Sequence, residues 1–509
     1  MKTLPTNLKC LLACISGALL TFAYAPFSFW FVLFLCLPFF IYLLANTEKK
    51  HAFKLGFCFG LGWFGAGISW VHVSIADFGG IPLIASLGLM LLLSAYLALY
   101  PALACFVLHR YFKQNYWPLA FPFIWLVVEW LRSVLFTGFP WLSLGYSQIS
   151  SPLSGWLPVI GEFGTTGLII LISSAWALTI RDKKWLHSLA LTLVIFVSGY
   201  SLNQYQWAIP SGKEAQIAMV QGNIQQELRW APEHDQPTMD KYRNMTDALW
   251  LKNDVVIWPE AAVPQLETVA KKYLLALDIV AAETQTGLIT GIVDYNFKTR
   301  EAYNYLIGLG LKEANSEKST ETKGQYFYNH SNRFAKHHLL PIGEFIPFEN
   351  WLRTVAPIFD LPMSSFSRGD YQQSNIKANG FNFAPAICFE IAFPEQISSN
   401  LYFNTDFIIT VSNDAWFGAS HGPAQHLEIA QVRAKEFALP VLRATNNGIT
   451  AFINHKGEIQ SRLPQFEAAA LSDSIQLVQG NTPFRNFANW PAWIVSFTLF
   501  CLAMLRRKK

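Results

Sequence analysis

The sequence predicts a polytopic α-helical membrane bundle joined to a single α/β domain. Three observations lead there. About eight apolar stretches, near 8–27, 29–45, 53–75, 83–108, 118–138, 161–180, 185–202 and 490–505, approach the roughly 20 residues needed to cross a bilayer. Between the seventh and the eighth, residues 205–485 have ordinary polarity. Within that interval, short runs rich in Val and Ile alternate with helical patterns.

Composition supports the membrane part. Of 509 residues, 52% are hydrophobic and 14% charged, against roughly 25% charged in an average soluble domain. The net charge of +4 is small for this length and gives no reason to expect a nucleic-acid partner. Its placement is more informative. Basic residues gather at Lys2 and Lys9, at Lys49, Lys50 and Lys54, at Arg110 and Lys113, at Arg181, Lys183 and Lys184, and at Arg506, Arg507, Lys508 and Lys509. The connections around Pro26, around Asp77 and over 139–160 contain neither Lys nor Arg. Because basic loops stay on the cytoplasmic side, this alternation places both termini in the cytoplasm and 205–485 on the opposite face. The expected organisation is 1–204 with seven spans, 205–485 as the outer domain, and 486–509 as a last span with a basic tail. Ala23-Tyr24-Ala25 resembles a signal cleavage site, but the first span is expected to be retained.

In the outer domain, strands are expected at 215–224, 254–260, 287–295, 383–390 and 406–414, and amphipathic helices near 237–250, 266–284 and 423–438. Sheets buried between helical layers follow from that order, with chemistry at the strand ends. The polar run 312–323 reads as a surface loop.

Seven cysteines occur, and six of them (Cys10, Cys14, Cys36, Cys58, Cys105 and Cys501) lie in apolar stretches, where a thiol packs as a small hydrophobe. Cys388 alone lies in the polar domain. No paired spacing suggests a zinc site or a disulfide framework, so no metal or other cofactor is expected. Three strand ends then stand out: Trp258-Pro259-Glu260, the stretch 334–344 (FAKHHLLPIGE) with Lys336 and Glu344, and Ala386-Ile387-Cys388-Phe389-Glu390. Taken singly, the Glu and the Lys read more readily as surface charges, and the thiol equally well as an inert core residue.

Taken together, Glu260, Lys336 and Cys388 resemble the ordered triad of the nitrilase superfamily, which implies an α-β-β-α sandwich. Set among eight spans, the domain is similar to that of the apolipoprotein N-acyltransferase family, whose members act last in bacterial lipoprotein maturation. Further stretches that carry the resemblance are GFPWLSLGYSQ (138–148), QGNI (221–224) with Trp230, VSNDAWFG (411–418) and RATNNGIT (443–450). Phe389 departs from the Tyr common in the family, so no hydroxyl role is carried to it. The resemblance implies Glu260 as proton acceptor, Lys336 as oxyanion stabiliser and Cys388 as nucleophile, with Glu344 and Glu390 supporting. It implies a phospholipid acyl donor, a diacylglyceryl apolipoprotein acceptor, and residence in a bacterial inner membrane with the domain in the periplasm.

A thiol attacks only as thiolate and so needs a neighbouring base or cation. The oxyanion formed on attack needs donors already in place. Glu390 is expected either to polarise the site or to make a purely structural hydrogen bond. Trp230, residues 361–366, Trp416 and Phe417, with Phe139 and Trp141 from the spanning region, are expected to form an apolar entrance for acyl chains. Glu129 and Arg132, three residues apart in the fifth span, are expected to pair and fix the bundle, with headgroup contact as the alternative. Two rival functions remain at this stage. One is a membrane-tethered amidase using the same triad, and the other is a transporter or ligand-binding protein without chemistry.

Overall fold

The structure is a computed structural model that describes residues 4–182, 185–228, 231–310, 325–341, 343–345 and 366–507. It divides into two compact units. One is helical and comprises Met1–Trp207, Ala419–Val432 and Asn481–Lys509; the other comprises Ala208–Gly418 and Arg433–Gly480.

Among the described residues of the helical unit, five helices are long and apolar enough to cross a membrane: Thr6–Ala23, Leu83–Tyr111, Gln114–Thr137, Pro152–Ile180 and Trp185–Gln204. Lys49–Gly67 and Val71–Asp77 pass the same criteria only together, as a pair bent by 62°, and make a sixth span if the pair is counted as one. The apolar helices Trp30–Ala45 and Trp490–Arg506 fall short of the length usual for a span. Each apolar stretch in the sequence is therefore a helix, and the set is compatible with a membrane bundle. Small residues allow close helix approach here. A Cβ on Gly62 would stand 1.9 Å from the carbonyl oxygen of Cys14, so those backbones pack in direct contact.

The second unit holds two sheets. Its strands are β1 (Ala208–Gln221), β2 (Val255–Ile257), β3 (Val263–Leu266), β4 (Gly287–Asn296), β5 (Glu301–Leu309), β6 (Arg333–Ala335), β7 (Ile376–Ala378), β8 (Phe381–Ile387), β9 (Phe407–Ser412), β10 (Val441–Thr445), β11 (Ala451–Ile453), β12 (Ile459–Arg462) and β13 (Ala469–Gly480). The first sheet runs β13-β1-β2-β4-β5-β6, with β3 also on β4, and the second runs β12-β11-β10-β9-β8-β7. Parallel pairing joins β1 to β2, β2 to β4, β8 to β9 and β9 to β10.

Strand alternation sorts the side chains into two cores. Ala215, Ile217 and Met219 of β1, Val255 and Ile257 of β2, and Ile289 of β4 meet Phe383 and Ile387 of β8, Phe407, Ile409 and Val411 of β9, and Leu442 of β10 between the sheets. The alternate residues Ala218, Val220, Val256, Leu288 and Ile292 pack instead on Met239, Tyr242, Ala270, Leu274 and Leu277. Those partners come from helices Asp235–Asp247 and Glu267–Thr284. The unit is thus a layered α/β domain with paired sheets.

All five expected strands and three expected helices are present. β3, β5–β7 and β10–β13 are additional; most of them are short or carry polar residues, so apolar periodicity does not mark them. Helix Gly422–Phe437 is shared: its residues through Val432 group with the helical unit and those from Arg433 with the α/β unit. The expected surface loop 312–323 lies outside the described residues.

Candidate active site

β2 delivers Glu260. Its end is pinned by Trp258, whose backbone N–H donates to the Ile289 carbonyl at 2.8 Å. The Trp258 indole N–H donates to Thr246 Oγ1 at 2.9 Å, and its ring lies 5.2 Å from that of Tyr242. The chain then turns sharply, with Ala261 at φ +43°, and crosses β4 at Gly291. A Cβ there would stand 2.2 Å from the Ala261 nitrogen and 2.7 Å from the Pro259 carbonyl oxygen, so only glycine permits the crossing. Glu260 is left 8% exposed.

β6 delivers Lys336. Arg333 at the head of that strand makes a two-pronged ion pair with buried Glu267, each contact 2.9 Å. The Lys336 N–H donates to the Asn304 carbonyl and its carbonyl accepts the Gly369 N–H, both at 2.9 Å. Its side chain is 2% exposed.

β8 delivers Cys388. The strand ends in Ile387, and Cys388 adopts φ +54° before a single turn of tight helix, Cys388–Ala392. A left-handed conformation in a residue with a Cβ costs on the order of 1–3 kcal/mol and persists where surrounding contacts impose it. Here Glu390 imposes it. The fully buried Glu390 carboxylate accepts the N–H of His337 at 2.7 Å, of His338 at 3.1 Å and of Ile387 at 2.8 Å, and the Gln396 amide at 2.7 Å. Burial raises its pKa, and these four donors oppose that rise. Of the two expectations for Glu390, the contacts match the structural hydrogen bond, multiplied.

The three strand ends converge. Lys336 Nζ donates to Glu260 Oε1 at 3.2 Å and to Glu344 Oε1 at 2.8 Å. Asn304 Nδ2 donates to the same Glu260 oxygen at 2.8 Å, and the Asn413 N–H donates to Glu260 Oε2 at 3.0 Å. Next to Asn413 in the chain, Ser412 Oγ lies 3.5 Å from Cys388 Sγ. Consecutive residues therefore touch the carboxylate and the thiol. Glu344 is itself oriented by the Leu340 N–H, 2.8 Å from its Oε2.

The charges interact as this geometry requires. Burial pulls the Lys336 pKa down, but Glu260, Glu344 and Cys388 outweigh it and hold the ammonium well above its usual range. Loss of hydration at the Cys388 sulfur, reinforced by Glu260, pushes the thiol up to about 12, against the opposing pull of Lys336 and Ser412. At neutral pH the thiol is protonated. A proton passing from this thiol to Glu260 would move one negative charge from oxygen to sulfur without changing the total.

The remaining expected residues lie as follows. Phe389 is buried with its ring edge-on to Phe393 at 5.1 Å. Trp416 is 39% exposed and Phe417 half-buried, on the short turn that follows Ser412 and Asn413. Trp230 and residues 361–365 lie outside the described residues. In the helical unit Trp141 is 2% exposed, and its indole donates to Gln425 Oε1 at 2.8 Å. It is a core residue and not part of an open entrance, because its loop is drawn inward by Arg132. Arg132 pairs with Glu129 and donates at 2.6 Å to the carbonyls of both half-buried Phe139 and Trp141. That wiring fits the structural role expected for the pair. Among the described residues, no group of three or more His, Cys, Asp or Glu side chains is placed to hold a metal.

Sequence reasoning missed Asn304, Ser412 and Asn413. The last two lie inside VSNDAWFG, and a polar trio ending a mostly apolar strand is the signal that marks them. Asn304 has no comparable signal. QGNI and RATNNGIT wire the same region, since Asn446 Nδ2 donates to Asn413 Oδ1 at 2.9 Å and to the Ile224 carbonyl at 2.7 Å.

Comparison with known proteins places the chain. Residues 16–175 match the family described as the apolipoprotein N-acyltransferase N-terminal domain, and residues 216–480 match the carbon-nitrogen hydrolase family. The chain is 43% identical over 504 residues to the apolipoprotein N-acyltransferase of Vibrio parahaemolyticus, spanning 98% of this chain and 97% of the relative. It is also 43% identical over 515 residues to that of Shewanella oneidensis, spanning 100% and 98%. The Haemophilus influenzae protein of that name is 37% identical over 510 residues, 98% and 95% of the two chains. With both parts of its architecture matched and near-complete coverage at this identity, the chain belongs to the apolipoprotein N-acyltransferase family.

Proposed function

We propose that Cys388 takes a fatty acyl group from a membrane phospholipid as a thioester and passes it to the α-amino group of an S-diacylglyceryl cysteine beginning an apolipoprotein. The reading is carried by one observation. Lys336 bridges Glu260 and Glu344, while the adjacent residues Ser412 and Asn413 tie Cys388 to Glu260.

In the first half-reaction Cys388 Sγ attacks the ester carbonyl and its proton passes to Glu260. The Lys336 ammonium and N–H groups of the turn starting at Cys388 meet the charge that develops on oxygen. Collapse breaks the ester C–O bond, and Glu260 returns the proton to the departing alkoxide. In the second half the amine, with an ordinary pKa of about 8, attacks the thioester carbonyl and sheds a proton to Glu260. The thiolate leaves and recovers that proton, which restores the starting state. One base serves both halves of a ping-pong cycle.

Trp416 and Phe417, three and four residues after Asn413, supply the apolar contact for the acyl chain and shield the thioester from water. The bacterial relatives support the inner membrane of a bacterium as the location, and the alternation of basic loops supports placing 205–485 in the periplasm, with 1–204 and 486–509 forming the membrane part.

The test incubates the purified full chain with phospholipid and measures intact mass. One acyl group is expected on the wild type and none on Cys388→Ala, and subsequent addition of a diacylglyceryl peptide should discharge it. The same adduct on Cys388→Ala would sink the mechanism. An adduct that no diacylglyceryl peptide removes would sink the acceptor.

A further inference from the structure

The proton and charge balance above leaves one cluster unused. Ser412 ends β9 fully buried, and its hydroxyl oxygen has two close neighbours, Asp414 Oδ1 at 2.5 Å and Cys388 Sγ at 3.5 Å. A hydroxyl has one proton and two lone pairs, so it donates to one of these at a time. Asp414 Oδ2 in turn accepts Arg443 Nη2 at 2.5 Å, and both side chains are cut off from solvent.

Strand pairing builds this arrangement. In the parallel β9–β10 pair Arg443 stands in register with Thr410, two residues before Ser412, so the guanidinium lies beside the chain that leaves β9. The wall behind Asp414 is equally close, because a Cβ on Gly448 would stand 2.2 Å from Asp414 Oδ2. Burying an ion pair gains little stability over apolar packing. A neutralised carboxylate fixed one hydroxyl away from a nucleophilic sulfur has a use that an apolar core lacks.

We propose, resting on the thioester chemistry above, that Ser412 is a thiolate-binding residue whose hydroxyl is parked on the Asp414–Arg443 pair and turns its proton to Cys388 Sγ whenever that sulfur is anionic. While Cys388 is a thiol, Ser412 donates to Asp414. As Glu260 removes the proton, the hydroxyl rotates and donates to the thiolate. Asp414 tolerates the loss because Arg443 remains bound to it. No bond to Ser412 forms or breaks and it keeps its proton throughout. Once the sulfur is acylated it is a weak acceptor and the hydroxyl returns to Asp414. The same turn recurs when the amine expels the thiolate, so both half-reactions use it. Of the groups that shift the Cys388 thiol, the carboxylates Glu260 and Glu344 oppose the thiolate, and Lys336 and the Ser412 hydroxyl favour it; Asp414 and Arg443 face the sulfur from behind Ser412 as a neutralised pair.

The test uses the full chain in detergent and follows alkylation of the Cys388 peptide by iodoacetamide against pH, beside acyl loading from phospholipid. Ser412→Ala should shift the alkylation profile upward by about one pH unit, a roughly tenfold slower reaction at fixed pH. It should also slow both loading and discharge by roughly tenfold or more. Ser412→Thr, which keeps a hydroxyl, should restore most of this, and Ser412→Val, of the same size without one, should not. Identical profiles for wild type and folded Ser412→Ala would overturn the inference. So would identical profiles for the Thr and Val forms, a comparison that stands even where the alanine form does not fold. Failure of wild-type Cys388 to take an acyl group would instead remove the thioester mechanism, whereas loading with unmoved Ser412 profiles would remove only this inference.

Discussion

The Glu390 carboxylate accepts the backbone N–H of His337 at 2.7 Å, so the chain two residues beyond Cys388 grips the chain one residue beyond Lys336. With the His338 and Ile387 N–H groups on the same carboxylate, Glu390 joins the ends of β6 and β8. An amide at this position turns one acceptor into a donor facing N–H groups, and hydrogen bonds to a buried charge contribute about 1.5–3 kcal/mol each. Glu390→Gln is therefore expected to lower the thermal midpoint by on the order of 5 °C. It should abolish acyl loading measured by intact mass, although the residue touches no reacting atom. Full loading by Glu390→Gln would show that the brace is dispensable.

Gly291 has the same kind of influence on Glu260. Because the Ala261 nitrogen lies 2.2 Å from where a Cβ would be, Gly291→Ala must push the 259–261 backbone off β4. The Asn304 and Asn413 hydrogen bonds to Glu260 hold that carboxylate against its partners, so the displacement falls on the proposed base. Loading of Cys388 should drop by roughly a hundredfold, as for misplacement of a reacting group by about 1 Å. A substitution with wild-type loading and an unchanged melting curve would contradict this account of the crossing.

The thiol gives a pH prediction with a definite sign. Glu260 helps to push the Cys388 thiol up to about 12, so alkylation of the wild type should still be rising at pH 10, where a free thiol of pKa near 8.5 has levelled off. Glu260→Gln removes a negative charge that disfavours the thiolate. Its alkylation profile should move to lower pH, while acyl loading disappears for want of a proton acceptor. Simple reagent accessibility predicts no such opposition of the two readouts.

How much of this was legible in the sequence depended on the range of the interaction. Val255–Ile257 and Phe407–Ser412 announce themselves as buried strands, and the polar residues ending them mark the place for chemistry. Glu260, Lys336 and Cys388 became legible only through the order and flanks of their motifs, because nothing local distinguishes Lys336 from a surface lysine. Asn304 was not legible at all. It reaches Glu260 only because antiparallel pairing sets it opposite Val293 on β4. Trp141, read as an open aromatic, is buried through a hydrogen bond to Gln425, 284 residues away, and no window along the chain contains both.

The segment that carries Lys336 also has a built-in sensitivity to acid. Burial, aided by Arg333, lowers the His330 pKa to about 4, with Glu267 opposing. The ring is 6% exposed, its Nδ1 faces the Asn332 N–H at 3.3 Å, and its backbone carbonyl accepts Arg333 Nε at 2.6 Å. In the unfolded chain the same imidazole titrates near 6.5. Between these values the unfolded state binds the extra proton, so stability rises with pH there. The contribution is complete above about pH 6.5 and is lost as pH falls towards 4, amounting to roughly 3 kcal/mol from the difference in pKa. Protonation would break the Asn332 contact and set a cation beside Arg333, three residues before Lys336. Thermal midpoints of the wild type and His330→Gln at pH 7.5 and pH 5 test this. The wild type should lose several degrees more than the variant on acidification. Equal losses would mean that His330 does not set the acid limit and that other groups do.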